Sequence, residues 1–286
     1  MYDLHLHSLC SDGDLAPEAV VRAAYDKGLT GLALTDHNGI WGIDAAAEQA
    51  HKNGLEFLSG IELSTNFNNQ DVHMLGFATT FKAQILEEGL AKTKQGCRER
   101  IEAMIKKCHE AGFKNVSMES IEARYAFYKN PSFISFDVAR ELQEKHSMPL
   151  AEAHRMTVAG GECYVPYGDY LLSPTEAIAL LHSAGSVAVL AHPGITLAEE
   201  GEDVFNDLLK ELCNNHIDGI EVRHPFHKPD FVQRLTDYAA THKLLVTAGS
   251  DWHGVSRFPE NNAQFGACGV TAEEWTRLLT RCAELA

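Results

Sequence analysis

No apolar run in this chain reaches the roughly 18 residues that would span a bilayer, so no membrane helix is expected. The opening MYDLHLHS has no basic leader and no apolar stretch, and reads as folded sequence, not a secretory signal. No cysteine pair has CxxC spacing. The seven cysteines (Cys10, Cys97, Cys108, Cys163, Cys213, Cys268 and Cys282) are odd in number and are expected to be reduced thiols in a cytoplasmic protein. Positive charge is scarce: 24 Lys and Arg stand against 40 Asp and Glu, a formal net charge of -16. That argues against a broad nucleic-acid surface and leaves room only for a small basic site. Repeats and low-complexity tracts are missing. With 45% hydrophobic residues, a chain of 286 can bury a large core without staples.

What the chain has in excess is histidine, 15 in all, about one residue in nineteen. Histidine is the commonest metal ligand and a frequent acid or base, so its placement carries the reading. The surrounding pattern alternates strand and helix. Strands are expected at Tyr2–His7, Leu29–Thr35, Leu55–Ile61 and Val72–Ala78, and later at Val187–Ala191, Gly219–Val222 and Leu244–Ala248. Helices are expected at Pro17–Lys27, Ile43–Lys52, Pro174–Ser183, Val204–Cys213, Asp230–Thr241 and Thr271–Glu284, the last with Thr271 as N-cap. Seven strands in such alternation predict an α/β fold with parallel pairing, either a (β/α) barrel or a large open sheet. Residues 81–169 break the rhythm. They hold a charged helical run at Leu90–Ala111, a second at Phe136–Glu144, and an aromatic cluster of Tyr125, Phe127, Tyr128 and Phe133 around Lys129. This stretch is read as an inserted, mainly helical lid subdomain, with 1–80 and 170–286 forming the main domain.

His5 and His7 stand two apart on a strand, so their side chains share a face. Asp12 follows, with Gly13 permitting a tight turn. Asp36 and His37, Glu62, His192, Asp251 and His253 all fall at strand ends. In a (β/α) barrel those ends share the face that carries the active site. His73 is the exception, since it opens its strand. A lone HxH or a lone Asp-His pair would say little. Recurrence is the signal, because burying polar groups beside apolar strands is costly unless they are paired. His5, His7, Asp12, His37, Glu62, His73, His192, Asp251 and His253 are too many for one four-ligand site. They suit two or three divalent ions with bridging carboxylates. Imidazole and carboxylate without thiolate favour Mn²⁺, with Zn²⁺ or Fe²⁺ as alternatives. Three such ions against three carboxylates would leave a local positive excess, a place for an anion such as phosphate.

The same residues sit in motifs that resemble the PHP (polymerase and histidinol phosphatase) superfamily of metal-dependent phosphoesterases. The pieces are DLHLHS at 3–8, SDG at 11–13, LTDHN at 34–38, GIELS at 60–64, DVHMLG at 71–76, VLAHPG at 189–194, GIEV at 219–222 and GSDWH at 249–253. Within it, the chain looks most like the stand-alone 3',5'-nucleotide bisphosphate phosphatases and 5'-3' exoribonucleases. The resemblance implies a distorted (β/α)7 barrel with a helical subdomain inserted after the fourth strand. It also implies a division of ligands: His5, His7, Glu62 and Asp251 for a first ion, and Asp12, His37 and His253 for a second. Glu62, His73 and His192 would hold a third, and Asp251 could also bridge.

The implied function is hydrolysis of a small phosphate monoester such as a nucleotide 3',5'-bisphosphate, with Asp251, His253, His192 and Glu62 as catalytic groups. His192 or His253 could be ligand or general acid. The chain departs from the family where nucleotide-processing relatives carry an Arg and a His after an Ile-Ser pair. Here Ile134-Ser135 is followed by Phe136-Asp137-Val138. Substitutes for that phosphate grip are Arg223, His224 and His227 near the barrel mouth, and Lys129 and Arg155 from the insertion. Arg223 could instead pair with an acidic neighbour. Rival readings are an exonuclease on short oligonucleotides, a sugar-phosphate phosphatase, and a metal-binding module without catalysis. Long nucleic acid and membranes are not expected partners.

Overall fold

The computed structural model describes residues 1–68, 70–126, 131–255 and 264–286. Lys129, Phe127 and Tyr128 lie outside them. The order is β1 (Tyr2–Asp3), α1 (Pro17–Asp26), β2 (Gly31–Leu34), α2 (Ile43–Asn53), β3 (Glu56–Phe67) and β4 (Gln70–Ala78). Then come α3 (Ala83–Gly89), α4 (Ala91–Glu110), α5 (Met118–Arg124), α6 (Ser135–His146) and α7 (Leu150–Thr157). The chain returns to the sheet with α8 (Pro174–Ser183), β5 (Val187–Leu190), α9 (Pro193–Glu200), α10 (Glu202–Asn214), β6 (Gly219–Arg223), α11 (Pro229–His242), β7 (Leu245–Ala248) and α12 (Ala272–Leu285). Local signals set several boundaries. Ser173 and Glu176 form a capping box at α8, and Thr271 and Glu274 form one at α12. Gly54 ends α2 in the left-handed region, at φ 69°.

The seven strands lie in one sheet in chain order. The ends of the sheet approach each other: the Leu4 amide donates to the Ala248 carbonyl at 3.1 Å, and Leu6 bridges Trp252. The result is a mixed α/β fold with a near-barrel sheet and helical insertions. Pairing is parallel from β1 to β3 and from β5 to β7, but β4 runs antiparallel to both of its neighbours. The expectation of parallel pairing fails there for a steric reason. Phe67 pairs with Gln70, so the connection is a hairpin, far shorter than a parallel crossover needs. The reversal also resolves the anomaly of His73. The start of an antiparallel strand lies beside the C-terminal ends of its parallel neighbours, and His73 pairs with Ser64, just past Glu62.

Alternation along the strands separates two apolar layers. Leu58, Leu75, Phe77, Val187, Val189 and Ala248 pack together on one side. Ile61, Leu63, Ala188, Leu190, Ile220 and Val222 pack with Leu181, Phe205 and Leu235 of α8, α10 and α11. The first layer closes the sheet's interior below the strand ends. The stretch between β4 and α8 has an apolar cluster of its own, drawn from Ile101, Met104, Ile121, Phe133, Leu142 and Cys163 among others. No helix among the described residues is long and apolar enough to cross a membrane.

Candidate metal centre

The loop after β1 is folded by Asp36. Its carboxylate accepts from the Ser8 amide at 2.8 Å, the Ser8 hydroxyl at 2.7 Å and the Ser11 hydroxyl at 2.6 Å. This wraps residues 8–13 back toward the strand end and sets Asp12 in the interior. Gly13 is required by close approach, not by a left-handed backbone: a Cβ there would stand 2.6 Å from the His7 carbonyl oxygen. Gly249 serves the same purpose, since a Cβ there would come within 2.2 Å of His5 Cβ. Asp3 ties these segments together, accepting from the Ser250 amide at 3.0 Å and the His5 amide at 3.3 Å.

Glu62 sits at the middle of what these loops assemble. One oxygen, Oε2, lies 3.3 Å from His5 Nε2, 3.2 Å from His7 Nε2 and 3.4 Å from His37 Nδ1. The other, Oε1, lies 2.9 Å from His73 Nδ1 and 3.1 Å from His192 Nε2. Asp251 Oδ1 is 3.1 Å from His7 Nε2 and 3.4 Å from His5 Nε2. Asp12 faces His7 at 3.4 Å, His37 at 3.5 Å and His253 at 3.4 Å. Three donor groups result: His5, His7, Glu62 and Asp251; His7, Asp12, His37 and His253; and His37, Glu62 and His73. All nine positions singled out from the sequence therefore meet at one place. The grouping differs in detail from the division the resemblance implies. His7 and His37 are each shared between two groups, while His192 stands beside the third, 3.3 Å from His73.

These donors fit divalent cations. The ring nitrogens His5 Nε2, His7 Nδ1, His7 Nε2 and His37 Nδ1 are buried without a hydrogen-bond partner, although carboxylate oxygens stand close by. The lone pairs converge on shared points and not on one another, which is costly for buried polar atoms unless a cation lies between them. The electrostatics agree. Burial opposes charge on every member, but the carboxylates Glu62, Glu221 and Asp251 outweigh it and hold His5 well above its usual range. His7 is raised to about 10 against the same burial, through Asp251 and Glu62. Burial dominates at His37, which falls to about 4. Glu62 and Asp251, despite burial, are held well below the usual carboxylate range by the surrounding histidines. The cluster demands compensating positive charge. Two of its members have uncommon backbones: Asp251 at φ 51° and His192 at φ 23°. Such conformations concentrate where a site over-determines them.

Sequence reasoning missed Glu221. It is fully buried, its Oε1 lies 3.1 Å from His5 Nδ1, and its Oε2 accepts the His192 amide at 2.7 Å. With Nδ1–H given to Glu221, His5 turns the Nε2 lone pair toward Glu62 and Asp251. A carboxylate inside the apolar strand GIEV was the available signal. Tyr125 and Arg140 were missed as well. The Tyr125 hydroxyl donates to the Ser11 carbonyl at 3.1 Å, and Arg140 donates to the carbonyls of Asp12 and Gly13, so the inserted helices grip the loop that carries Asp12.

The substrate candidates separate. His224 is buried with Nε2 3.6 Å from Asp251 Oδ2, and belongs beside the cluster. Arg223 does not. Its guanidinium is engaged by Glu274 at 2.6 and 3.1 Å and by the Gly269 carbonyl, so the pairing alternative is the one observed. His227 is a brace: Nδ1 donates to the Val222 carbonyl at 2.9 Å, and Nε2 accepts the Gly194 amide at 3.0 Å. Both its nitrogens are spent on backbone, which removes it as a substrate contact. Arg155 is exposed on α7.

Comparison with known proteins agrees with the geometry. The PHP domain family model matches residues 3–224. The chain is 30% identical to a 3',5'-nucleoside bisphosphate phosphatase of Chromobacterium violaceum over 254 residues, covering 88% of this chain and 86% of that one. It is 28% identical over 258 residues to the 5'-3' exoribonuclease Rnm of Escherichia coli, covering 88% and 85%. A crystal structure from Bifidobacterium adolescentis, considered a metal-dependent phosphoesterase, superposes with a TM-score of 0.84 at 27% identity, covering 98% and 96% of the two chains. A structure from Chromobacterium violaceum described as an amidohydrolase with bound sulfate and no metal gives 0.79 at 26% identity, with the same coverage. The chain belongs to the PHP superfamily of metal-dependent phosphoesterases, hydrolases of phosphate esters.

Proposed function

We propose that the protein hydrolyses a small phosphate monoester, a nucleotide 3',5'-bisphosphate in the first instance. The observation that carries this reading is the convergence of eight His and carboxylate side chains on three adjoining donor groups, with His192 beside them, in a chain similar to a nucleoside bisphosphate phosphatase. His5, His7, Glu62 and Asp251 would hold one ion, Asp12, His37 and His253 a second, and Glu62, His73 and His192 a third, with Mn²⁺ the first choice. Bound divalent ions supply Lewis acidity toward phosphoryl oxygens and lower the pKa of water to near neutrality.

The chain's own residues do the rest. Glu62 reaches two groups with its two oxygens and fixes their spacing. His253 donates from Nδ1 to the Asp251 carbonyl at 2.7 Å, which leaves Nε2 directed at Asp12 as a ligand. His192 likewise turns Nε2 to Glu62, so both are read as ligands and neither as the acid. His224 accepts the Phe226 amide at Nδ1, 3.3 Å away, and so carries its proton at Nε2 beside Asp251. It is the group we assign to protonate the leaving oxygen. The main domain, 1–80 with 170–286, is taken as a distorted (β/α)7 barrel and 81–169 as its lid. The separate apolar cluster of the insertion and its grip on the Asp12 loop support that division.

The test is phosphate release from adenosine 3',5'-bisphosphate with added Mn²⁺, with Asp251→Asn as control. Asn tolerates the left-handed backbone at 251, so the variant should fold. Release that the substitution abolishes is expected. No release from protein that holds metal would remove this substrate. Short oligonucleotides would then come next, on the likeness to the Escherichia coli exoribonuclease.

A further inference from the structure

Five large apolar side chains stand exposed among the described residues: Met1, Leu9, Tyr25, Phe226 and Val255. Singly exposed residues of this kind are ordinary. Three of the five are not scattered. Leu9 stands two residues after His7, Phe226 two after His224 and Val255 two after His253, so each leaves the metal centre on a loop at the strand ends. The first and last of these loops are tied together. The Asp14 amide donates to the His253 carbonyl at 2.9 Å, and Asp14 Oδ1 accepts the Val255 amide at 3.2 Å. Phe226 is the largest of the three and is 58% exposed.

The loop that carries Phe226 is pinned on both sides of it. His224 and His227 are buried, and the Phe226 amide donates to His224 Nδ1 at 3.3 Å. His227 fastens to the Val222 carbonyl and the Gly194 amide, and meets Phe231 edge-on with 5.1 Å between ring centroids. Pro225 restricts the backbone between them. The Phe226 ring centroid lies 5.4 Å from that of His224, whose Nε2 is 3.6 Å from Asp251 Oδ2. One side chain therefore separates the exposed ring from the metal centre. The polar side chains from Arg223 to His227 are already committed: Arg223 to Glu274, His224 to the Phe226 amide and Asp251, and His227 to backbone. What this stretch offers a ligand is a flat apolar ring, not a set of hydrogen bonds for a sugar.

We infer that Phe226 is a stacking platform for the nucleobase of the substrate, and so selects nucleotides over sugar phosphates. The inference rests on the phosphoesterase reading and on His224 as the acid, so binding is tested apart from turnover. Hydrolysis of a nucleotide monoester releases the nucleoside as the leaving alcohol. The group that protonates the leaving oxygen then has the base on its own side of the site, and Phe226 is the exposed ring beside His224. A phenyl face takes any base by its π surface, without reading the hydrogen-bonding edge. Purines gain more than pyrimidines because they cover more of it. Leu9 and Val255 carry the apolar rim onto the neighbouring loops. Stacking of this kind acts in the ground state and the transition state alike, so it bears on KM more than on kcat.

The experiment measures equilibrium binding to the Mn²⁺-loaded protein of two non-hydrolysable 3',5'-bisphosphonates, one of adenosine and one of the same ribose without its base. Wild-type, Phe226→Ala, Phe226→Leu and Phe226→Trp proteins are compared; the side chain is exposed, so all should fold. The adenosine ligand should bind the wild type more tightly, and that advantage should fall about tenfold in Phe226→Ala. Phe226→Leu keeps an apolar surface without a flat face and should lose most of the advantage, while Phe226→Trp should keep or raise it. With adenosine 3',5'-bisphosphate as substrate, Phe226→Ala should raise KM more than it lowers kcat. An advantage that Phe226→Ala leaves unchanged overturns the inference. So does an equal weakening of both ligands, which would make Phe226 a support of the metal centre and not a contact to the base. If the advantage depends on Phe226 but adenosine 3',5'-bisphosphate is not hydrolysed, the platform stands and the hydrolytic reading falls.

Discussion

Replacing Glu221 with Gln changes one buried oxygen into an NH2 group and leaves the shape of the side chain intact. In the native protein the two oxygens serve two donors: Oε1 faces His5 Nδ1 at 3.1 Å, and Oε2 accepts the His192 amide at 2.7 Å. A glutamine has one acceptor oxygen. If it keeps the His192 amide, its NH2 faces the Nδ1–H of His5 donor to donor, and the ring must flip its tautomer or turn. Either change removes the Nε2 lone pair from the point shared by Glu62 and Asp251. Loss of an outer hydrogen bond of this kind costs about 10- to 100-fold in metal affinity, roughly 1.4 to 2.7 kcal/mol. Titration of metal-stripped protein with Mn²⁺ against a competing chelator reads the difference directly. The weakening should appear in the ion held by His5, with the remaining sites less affected. Wild-type affinity at every site in Glu221→Gln would refute the orienting role.

Acid should weaken the fold through His227. Burial lowers its folded pKa to about 4 from 6.5, so the unfolded chain takes up a proton first as pH falls. Stability present above pH 6.5 is then lost progressively down to about pH 4, by up to about 3 kcal/mol; urea melts of wild-type and His227→Gln protein across that range should differ in slope, and parallel curves would count against it. Phe77 is fully buried in the layer beneath the cluster, and Phe77→Ala should cost about 3–5 kcal/mol, read as a lower urea midpoint at unchanged slope. Chelation should lower the melting temperature of the wild type, because ions that bind only the folded state stabilise it by mass action; a melt indifferent to EDTA would contradict the metal assignment.

Much of this was legible in the sequence because each signal was local. The seven strands fell within a few residues of their expected places. The exceptions are β1, which pairs regularly only at Tyr2–Asp3, and β3, which runs on to Phe67. The ligand positions were readable because a histidine or carboxylate closing an apolar run is hard to explain as core. What could not be read was long-range. Nothing local to His73 says that its strand runs backwards; that follows from a hairpin too short for a crossover. Arg223 and His224 are neighbours in sequence and look alike as basic residues at a strand end. The pairing register with β7 shifts between Glu221 and Arg223, and Arg223 finds Glu274 at the far end of the chain. Glu221 was hidden for the same reason, since its partners, His5 and His192, are distant along the chain.

The central claim is that the nine convergent side chains hold divalent ions, and anomalous diffraction from crystals grown with Mn²⁺ tests it most directly. The account predicts two or three peaks a few ångströms apart, one of them bounded by His5, His7, Glu62 and Asp251. Crystals that bind Mn²⁺ elsewhere, or show no peak among these four side chains, would contradict it.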